Sequence, residues 1–301
     1  MLILRTIAVV AALALPSPAL AESLEIQTAQ GMVAVPAKPE RVAVFDMAAL
    51  DTLDLLGVRV AGVPDRVYLP ELKRAAAGAE VVGTLFNPDL EALSALGPDL
   101  IILGGRSSPK AKSTSRIAPT IDMSIDGKDL VRDAEARLDA YGRLFGREEA
   151  VRGALQEFRA AIKAARDAAK GKGRALILMT NGPKISAFGI GSRFGWLHTT
   201  LGIEAAVAEV GPATHGEAIS FEFVRKADPD WLIVVDRALA ISTGDSQAHA
   251  TLDNELVRST KAWQRGQVIY LPAADLYIAG GGIQAMNRVL ATITRGFLAA
   301  Q

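Results

Sequence analysis

The chain contains no cysteine. That absence excludes disulfide staples, thiolate metal sites and cysteine nucleophiles together, and with them the lipid-bearing cysteine of a bacterial lipoprotein. Aromatic residues make up only 5% of the sequence, too little for a broad stacking platform for sugars or bases. Neither sign of charge prevails: 33 basic residues stand against 33 acidic ones, so bulk charge offers no nucleic-acid footprint. Any anionic ligand must then be met by a few locally placed cations. The sequence also lacks a GxSxG elbow, an HExxH helix and a phosphate-binding GxxxxGK loop. Gly189-x-Gly191-x3-Gly195 follows an expected strand and opens an expected helix, but it departs from the dinucleotide spacing. No nucleophile or acid and base pair stands out, and an enzyme is not expected.

One apolar run is present at the start. Arg5, the stretch 7–15 and the small-residue exit Ala19-Leu20-Ala21 read as a secretory signal peptide over 1–21. Its core is shorter than the ~20 residues a membrane-spanning helix needs. A mature protein starting near Glu22 is expected to be free in a Gram-negative periplasm. At about 280 residues it exceeds the usual size of a single core and fits two lobes.

Strand and helix signals alternate along that length, which indicates an α/β protein. A hairpin is expected over 24–35, a strand at 42–45, a helix over 47–56, and short strands at 58–63 and 81–82. From 127 to 169 the pattern is helical throughout, broken near Gly146. Its second part, 147–170, carries one apolar stripe of Val151, Leu155, Phe158, Ile162 and Ala165. A helix of about 24 residues is about 36 Å long, enough to cross behind two lobes; the alternative is an ordinary surface helix of one lobe. The division expected is an N-terminal lobe over 22–146, a connecting helix over 147–170 and a C-terminal lobe over 171–301. The second lobe is expected to hold strands at 175–179, 185–188 and 268–271, with helices over 194–201, around 252–259 and over 282–298.

A repeated phrase ties the lobes together. Glu91-x6-Pro98-Asp99-x6-Arg106 returns as Glu222-x6-Pro229-Asp230-x6-Arg237. In each copy a short helix precedes Pro-Asp and a fully buried strand follows it (LIILGG, WLIVVD). Because Pro-Asp reverses the chain, the Glu and the Arg return to one edge of the lobe, the carboxyl edge where open α/β sheets bind ligands.

Arg106, Arg237 and Arg193 (in GIGSRFG) would line such a cleft with planar donor forks suited to a compact polyanion rich in oxygen acceptors. Each arginine taken alone also fits a surface ion pair. His215, in the loop sequence GPATHGE, could bind a metal or merely cap its loop. Tyr277 sits in an expected loop ahead of Gly280-Gly281-Gly282 and could point into the cleft or pack on the lobe surface. Phenolate is a hard donor suited to Fe(III), and imidazole also binds iron. His198, inside an expected helix, is read as structural, and His249 as solvated.

With these residues in place, the mature chain resembles the periplasmic substrate-binding proteins of ABC transporters, in the class with two Rossmann-like α/β lobes and mainly parallel sheets joined by one long α-helix (class III). The strings NPDLEALSALGPDLIILGGR, GSRFGWLHTTLGI, HGEAISFEFVRKADPDWLIVVDR, TLDNELV and YIAGGG carry the resemblance, which is strongest to the ferric-enterobactin and catecholate subgroup. The resemblance implies a monomeric carrier of an Fe(III)-siderophore with no permanently bound cofactor. It assigns Arg106, Arg193 and Arg237 to the anionic iron complex, and His215 and Tyr277 to completing the iron coordination of a tetradentate siderophore. It gives Glu91 and Glu222 the role of docking on the membrane permease. Phe194 and Trp196 are candidate apolar wall residues. A haem or cobalamin carrier on the same fold, or a periplasmic enzyme acting on the siderophore, are the alternatives.

Overall fold

The computed structural model describes residues 23–211, 213, 216–242 and 245–299; the expected leader and His215 fall outside them. The strands are β1 (Ser23–Thr28), β2 (Gly31–Pro36), β3 (Val42–Phe45), β4 (Gly62–Val63), β5 (Glu80–Val81), β6 (Leu100–Leu103), β7 (Thr120–Asp122), β8 (Arg174–Asn181), β9 (Lys184–Ala187), β10 (Glu204–Ala205), β11 (Glu217–Ile219), β12 (Trp231–Asp236) and β13 (Val268–Tyr270). After the β1–β2 hairpin, the first lobe is a sheet of order β5-β4-β3-β6-β7 with every neighbour parallel. The second lobe has the order β11-β9-β8-β12-β13, with β10 beside β8. Here β8, β10, β12 and β13 are parallel, while β9 and β11 return antiparallel along one edge.

The alternation of side chains along each strand explains how two sheets share one interior. Val42 and Val44, Leu100 and Ile102, Ile177 and Met179, and Ile233 and Val235 all enter a single apolar cluster. Their alternate neighbours go elsewhere: Ala43, Phe45, Ile101 and Leu103 to a small cluster of the first lobe, and Leu176, Leu178, Leu232 and Val234 to one of the second. One face of each sheet is therefore committed to a core common to both lobes.

Helices from both lobes fill that common layer. The helix Leu130–Phe145 ends on Gly146, whose φ of 63° supplies the left-handed cap. The connecting helix Glu148–Ala169 follows and buries Val151, Phe158, Ile162 and Ala165, with Leu155 only half-buried. At 22 residues it is about 33 Å long. The final helix, Ile283–Ala299, packs along the connecting helix and reaches the first-lobe helix Met47–Leu55. The second lobe thus extends a helix into the first, which a boundary at residue 171 does not convey. Two of the three glycines before this helix lie where a side chain would run into the first lobe. A Cβ on Gly281, already at φ 97°, would lie 2.7 Å from Ile125 Cδ1, and one on Gly282 would lie 2.7 Å from Asp51 Oδ2.

The repeated phrase has one structure in both lobes. Its helices, Leu90–Leu96 and Phe221–Ala227, are capped by Asp89 and Ser220 at their starts and end on left-handed Gly97 and Asp228. Its aspartates do more than turn the chain. Asp99 accepts from the backbone N–H groups of Glu40 and Arg41 at 2.7 and 3.0 Å, just ahead of β3. Asp230 accepts from the N–H of Arg174 at 2.9 Å, at the head of β8. Each carboxylate fixes the start of the neighbouring strand.

Several expected elements are shorter. The strand at 58–63 narrows to β4, the helix over 194–201 to Trp196–Thr199, and the stretch around 252–259 is two helices, Ala248–Leu252 and Glu255–Arg258. His198 is buried and structural, with its Nδ1 2.8 Å from the carbonyl of Ile203. His249 is exposed, yet its ring rests 5.3 Å from that of Trp263.

Asp99→Ala and Asp230→Ala should each lower unfolding free energy by about 1 kcal/mol, the worth of a lost side chain to backbone hydrogen bond. Asn at either position should retain part of it, because Oδ1 still accepts. Urea denaturation of the four variants checks this.

Candidate ligand-binding site

The cleft between the carboxyl edges of the two parallel sheets holds a cavity of about 680 Å³. Arg106 enters from the loop after β6, and Arg237 opens the helix Arg237–Ile241 directly after β12, as the repeat requires. Arg193 comes from the loop Gly189–Gly195, which is drawn tight on itself. A Cβ on Gly195 would collide with the carbonyl of Ile190, and one on Gly189 with that of Val210. The near-fingerprint glycines therefore serve close backbone packing that presents Arg193.

All three guanidinium groups gather on Tyr277. Arg106 donates from Nη2 to the Tyr277 carbonyl at 2.8 Å and from Nη1 to that of Ile278 at 3.2 Å. Arg193 donates to the same Tyr277 carbonyl at 3.0 Å. Arg237 donates from Nε to the Tyr277 hydroxyl at 3.0 Å and from Nη1 to Asn181 Oδ1 at 3.2 Å. The Tyr277 ring itself lies 4.8 Å from the Cζ of Arg193 and 5.7 Å from those of Arg106 and Arg237. Arg193 also lies 5.0 Å from the ring of Phe194.

These partners orient the arginines without neutralising them. Carbonyls, an amide, a phenol and ring faces are all uncharged, and among the described residues none of the three arginines is within ion-pair distance of a carboxylate. The two carboxylates lining the cavity are engaged elsewhere: Asp46 with Arg137 at 3.4 Å, and Asp126 with Lys128 at 3.5 Å. Burial, together with the neighbouring Arg106 charge, pushes the Arg193 guanidinium down to about 10. The site stores unmatched positive charge in a half-buried cleft.

Tyr277 is the last residue of a short helix, Ala273–Tyr277, not part of a loop, and it faces the cleft. His215 lies outside the described residues, so only Tyr277 of the expected iron pair can be placed. Phe194 lines the cavity; Trp196 is buried and does not. The sequence reading missed Tyr68, Leu85 and Phe86, which form the apolar wall on the first lobe with Phe86 50% exposed. It also missed Arg137, whose signal was legible: an arginine inside the buried stripe Ala134, Leu138, Tyr141 of its helix.

A second groove of about 660 Å³ adjoins the first and shares Arg237 and Tyr277 with it. Asn181, Lys184, Ser186 and Phe221 line it, and Glu222 stands at its edge. Glu91 and Glu222 are both exposed, each in the first turn of its copy of the repeated helix.

Two α/β lobes joined by a helix, with a cationic cleft at facing sheet edges, define a binding protein of the helix-connected class. The family described as periplasmic binding protein matches residues 42–274, and the chain belongs to it. The chain is 35% identical over 268 residues to the petrobactin-binding protein YclQ of Bacillus subtilis, covering 87% of this chain and 84% of the relative. The crystal structure of YclQ superposes with a TM-score of 0.86 at 34% identity, over 92% of this chain and 99% of that one. The ferric-anguibactin-binding protein FatB of Vibrio anguillarum is 32% identical, over 89% of this chain and 85% of the relative. The periplasmic catecholate-siderophore binding protein VctP of Vibrio cholerae superposes with a TM-score of 0.85 at 30% identity, over 90% of this chain and 99% of that chain. This chain is accordingly a substrate-binding protein, not an enzyme. No helix among the described residues is long and apolar enough to cross a membrane.

Because burial and Arg106 both oppose the Arg193 charge, Arg193→Met should raise unfolding stability at pH 7 by about 1 kcal/mol while emptying the site of one cation. The gain should shrink as pH rises through about 10, where the folded protein already releases that proton while the unfolded chain keeps it. Urea midpoints at pH 7 and above 10 test both the sign and the trend.

Proposed function

We infer that this protein captures an Fe(III)-catecholate siderophore in the interlobe cleft and delivers it to an ABC permease. The observation that carries this reading is the set of three arginines oriented only by neutral partners. A tris-catecholate iron complex is trianionic and offers oxygen acceptors on a rigid surface, so it matches charge for charge what the cleft leaves unpaired. Catechol rings would rest against Tyr68, Phe86 and Phe194. A neutral or cationic complex would gain far less from the same cations. The named ligands of similar proteins, petrobactin, anguibactin and a catecholate siderophore, support an iron-siderophore cargo. Ferric enterobactin is one member of the class proposed, and the iron travels as cargo with the siderophore.

Tyr277 would supply a phenolic oxygen to the iron of a tetradentate siderophore, after exchanging its contact with Arg237, and His215 would be its partner. Glu91 and Glu222 would dock on permease arginines, their exposure leaving them free to do so. The working place of the protein would be the Gram-negative periplasm, after cleavage near Ala21, and it would act as a monomer.

Adding a ferric catecholate at micromolar concentration should give saturable quenching of tryptophan fluorescence and a visible charge-transfer band; no response to any catecholate would overturn the reading. Arg237→Ala should weaken binding of a tris-catecholate at least tenfold, or about 1.4 kcal/mol. Tyr277→Phe should shift the band of a bis-catecholate complex and barely alter that of a hexadentate one. Equal shifts in both would count against coordination by Tyr277.

A further inference from the structure

Behind the helix that carries Tyr277 lies a buried ionic cluster that lines neither the cleft nor the adjoining groove. Asp275, two residues before Tyr277, faces the opposite way and is gripped by Arg288 of the final helix through two hydrogen bonds, 3.0 Å from Nε and 2.7 Å from Nη2. The same Nη2 reaches Asp51 Oδ1 at 3.1 Å. Asp51 is fully buried on the first-lobe helix Met47–Leu55, and its second oxygen accepts from the N–H groups of Gln284 and Ala285 at 2.8 and 3.2 Å. Gln284 returns to the Asp51 carbonyl and to Asp54. Burial raises the carboxyl of Asp51 to about 6, against the pull of the Ala285 N–H and of Arg288, so a group costly to ionise is kept where an apolar residue would be cheaper.

A short helix of five residues has little intrinsic stability and takes its position from what holds it. On one face this helix offers the carbonyl, ring and hydroxyl that orient three arginines. On the other it offers Asp275. A planar guanidinium binding one carboxylate through two hydrogen bonds fixes angle as well as distance, which a point charge does not.

We propose that Arg288 is a positioning residue for the ligand site: by clamping Asp275 to Asp51 of the opposite lobe, it sets the tilt of the helix Ala273–Tyr277 and so the convergence of Arg106, Arg193 and Arg237. The proposal rests on the cleft being the ligand site. It gives Asp51, Asp275 and Arg288 a function in recognition although none of them lines the cavity. It also accounts for Gly282, where a side chain would run into Asp51 as the final helix seats against it.

The test uses the full mature chain and the variants Asp275→Asn, Arg288→Gln and Tyr277→Phe. In ligand-free protein, the Arg237 side-chain Nε–H resonance is assigned by its shift in Tyr277→Phe, which removes its acceptor. Asp275→Asn, nearly isosteric and so expected to fold, should move or broaden that resonance. It should also weaken binding of a ferric tris-catecholate about tenfold, the usual scale for a lost supporting contact. Combined with Tyr277→Phe it should cost less than the sum of the two. Arg288→Gln should reproduce the effect if it folds. A folded Asp275→Asn protein with an unmoved Arg237 resonance overturns the proposal even if its stability falls, since a purely structural clamp would do only that. Should the wild-type protein bind no ferric catecholate, the functional reading fails, and the ligand-free resonance still decides the clamp.

Discussion

The carbonyl of Tyr277 accepts from Arg106 of one lobe and Arg193 of the other, and the proposed ligand site follows from that shared acceptor. Two guanidinium groups brought to one oxygen repel each other, and this adds to burial, the larger cause, in lowering the proton affinity of Arg193. The fold meets that cost with neutral acceptors and ring faces. Carboxylates would have cancelled the field the site needs. Arg237, on the hydroxyl of the same residue, completes a cluster whose members arise from three separate stretches of chain. The geometry of the arginine cluster is thus set by one short helix, and the sheets supply the platform on which the arginines approach it.

Much of this was legible in the sequence, and the reasons differ from residue to residue. The repeated phrase located Arg106 and Arg237 because helix, reversal and buried strand leave little freedom for where the residue after the strand emerges. The apolar stripe of 147–170 identified a long helix with one buried face, on which Phe158 and Ile162 are indeed buried, and its length suited a connection between lobes. The fully apolar strands gave two parallel sheets, though the antiparallel β9 and β11 edge left no comparable mark. Tyr277 was expected in a loop because five helical residues between Pro272 and the glycine run are too few to show a period. Tyr68 and Phe86 could not be read as a wall, because their chain positions become neighbours only when the first sheet orders its loops.

The repeat also shows that one motif can serve at two depths. Its Asp anchors the neighbouring strand, its Arg faces the cleft, and its Glu stands exposed at the start of the helix. In the second lobe Glu222 and Arg237 border the same groove, so a surface residue and a cleft residue share a wall. The first lobe lacks this continuity, because Glu91 borders neither cavity. The two copies are alike in fold and unequal in what they adjoin.

The core common to both sheets has a kinetic consequence. Swinging the lobes wide would uncover apolar surface where the final helix packs on the first-lobe helix Met47–Leu55, at a cost of about 25 cal/mol for each Å². That cost opposes a wide swing, and the arginines stand converged on Tyr277. Little ordering then remains to be done at encounter, so ligands of similar charge should arrive at similar rates and differ in how long they stay. On the function proposed, selectivity would be a matter of residence time, and unloading would call for a partner that distorts the cleft.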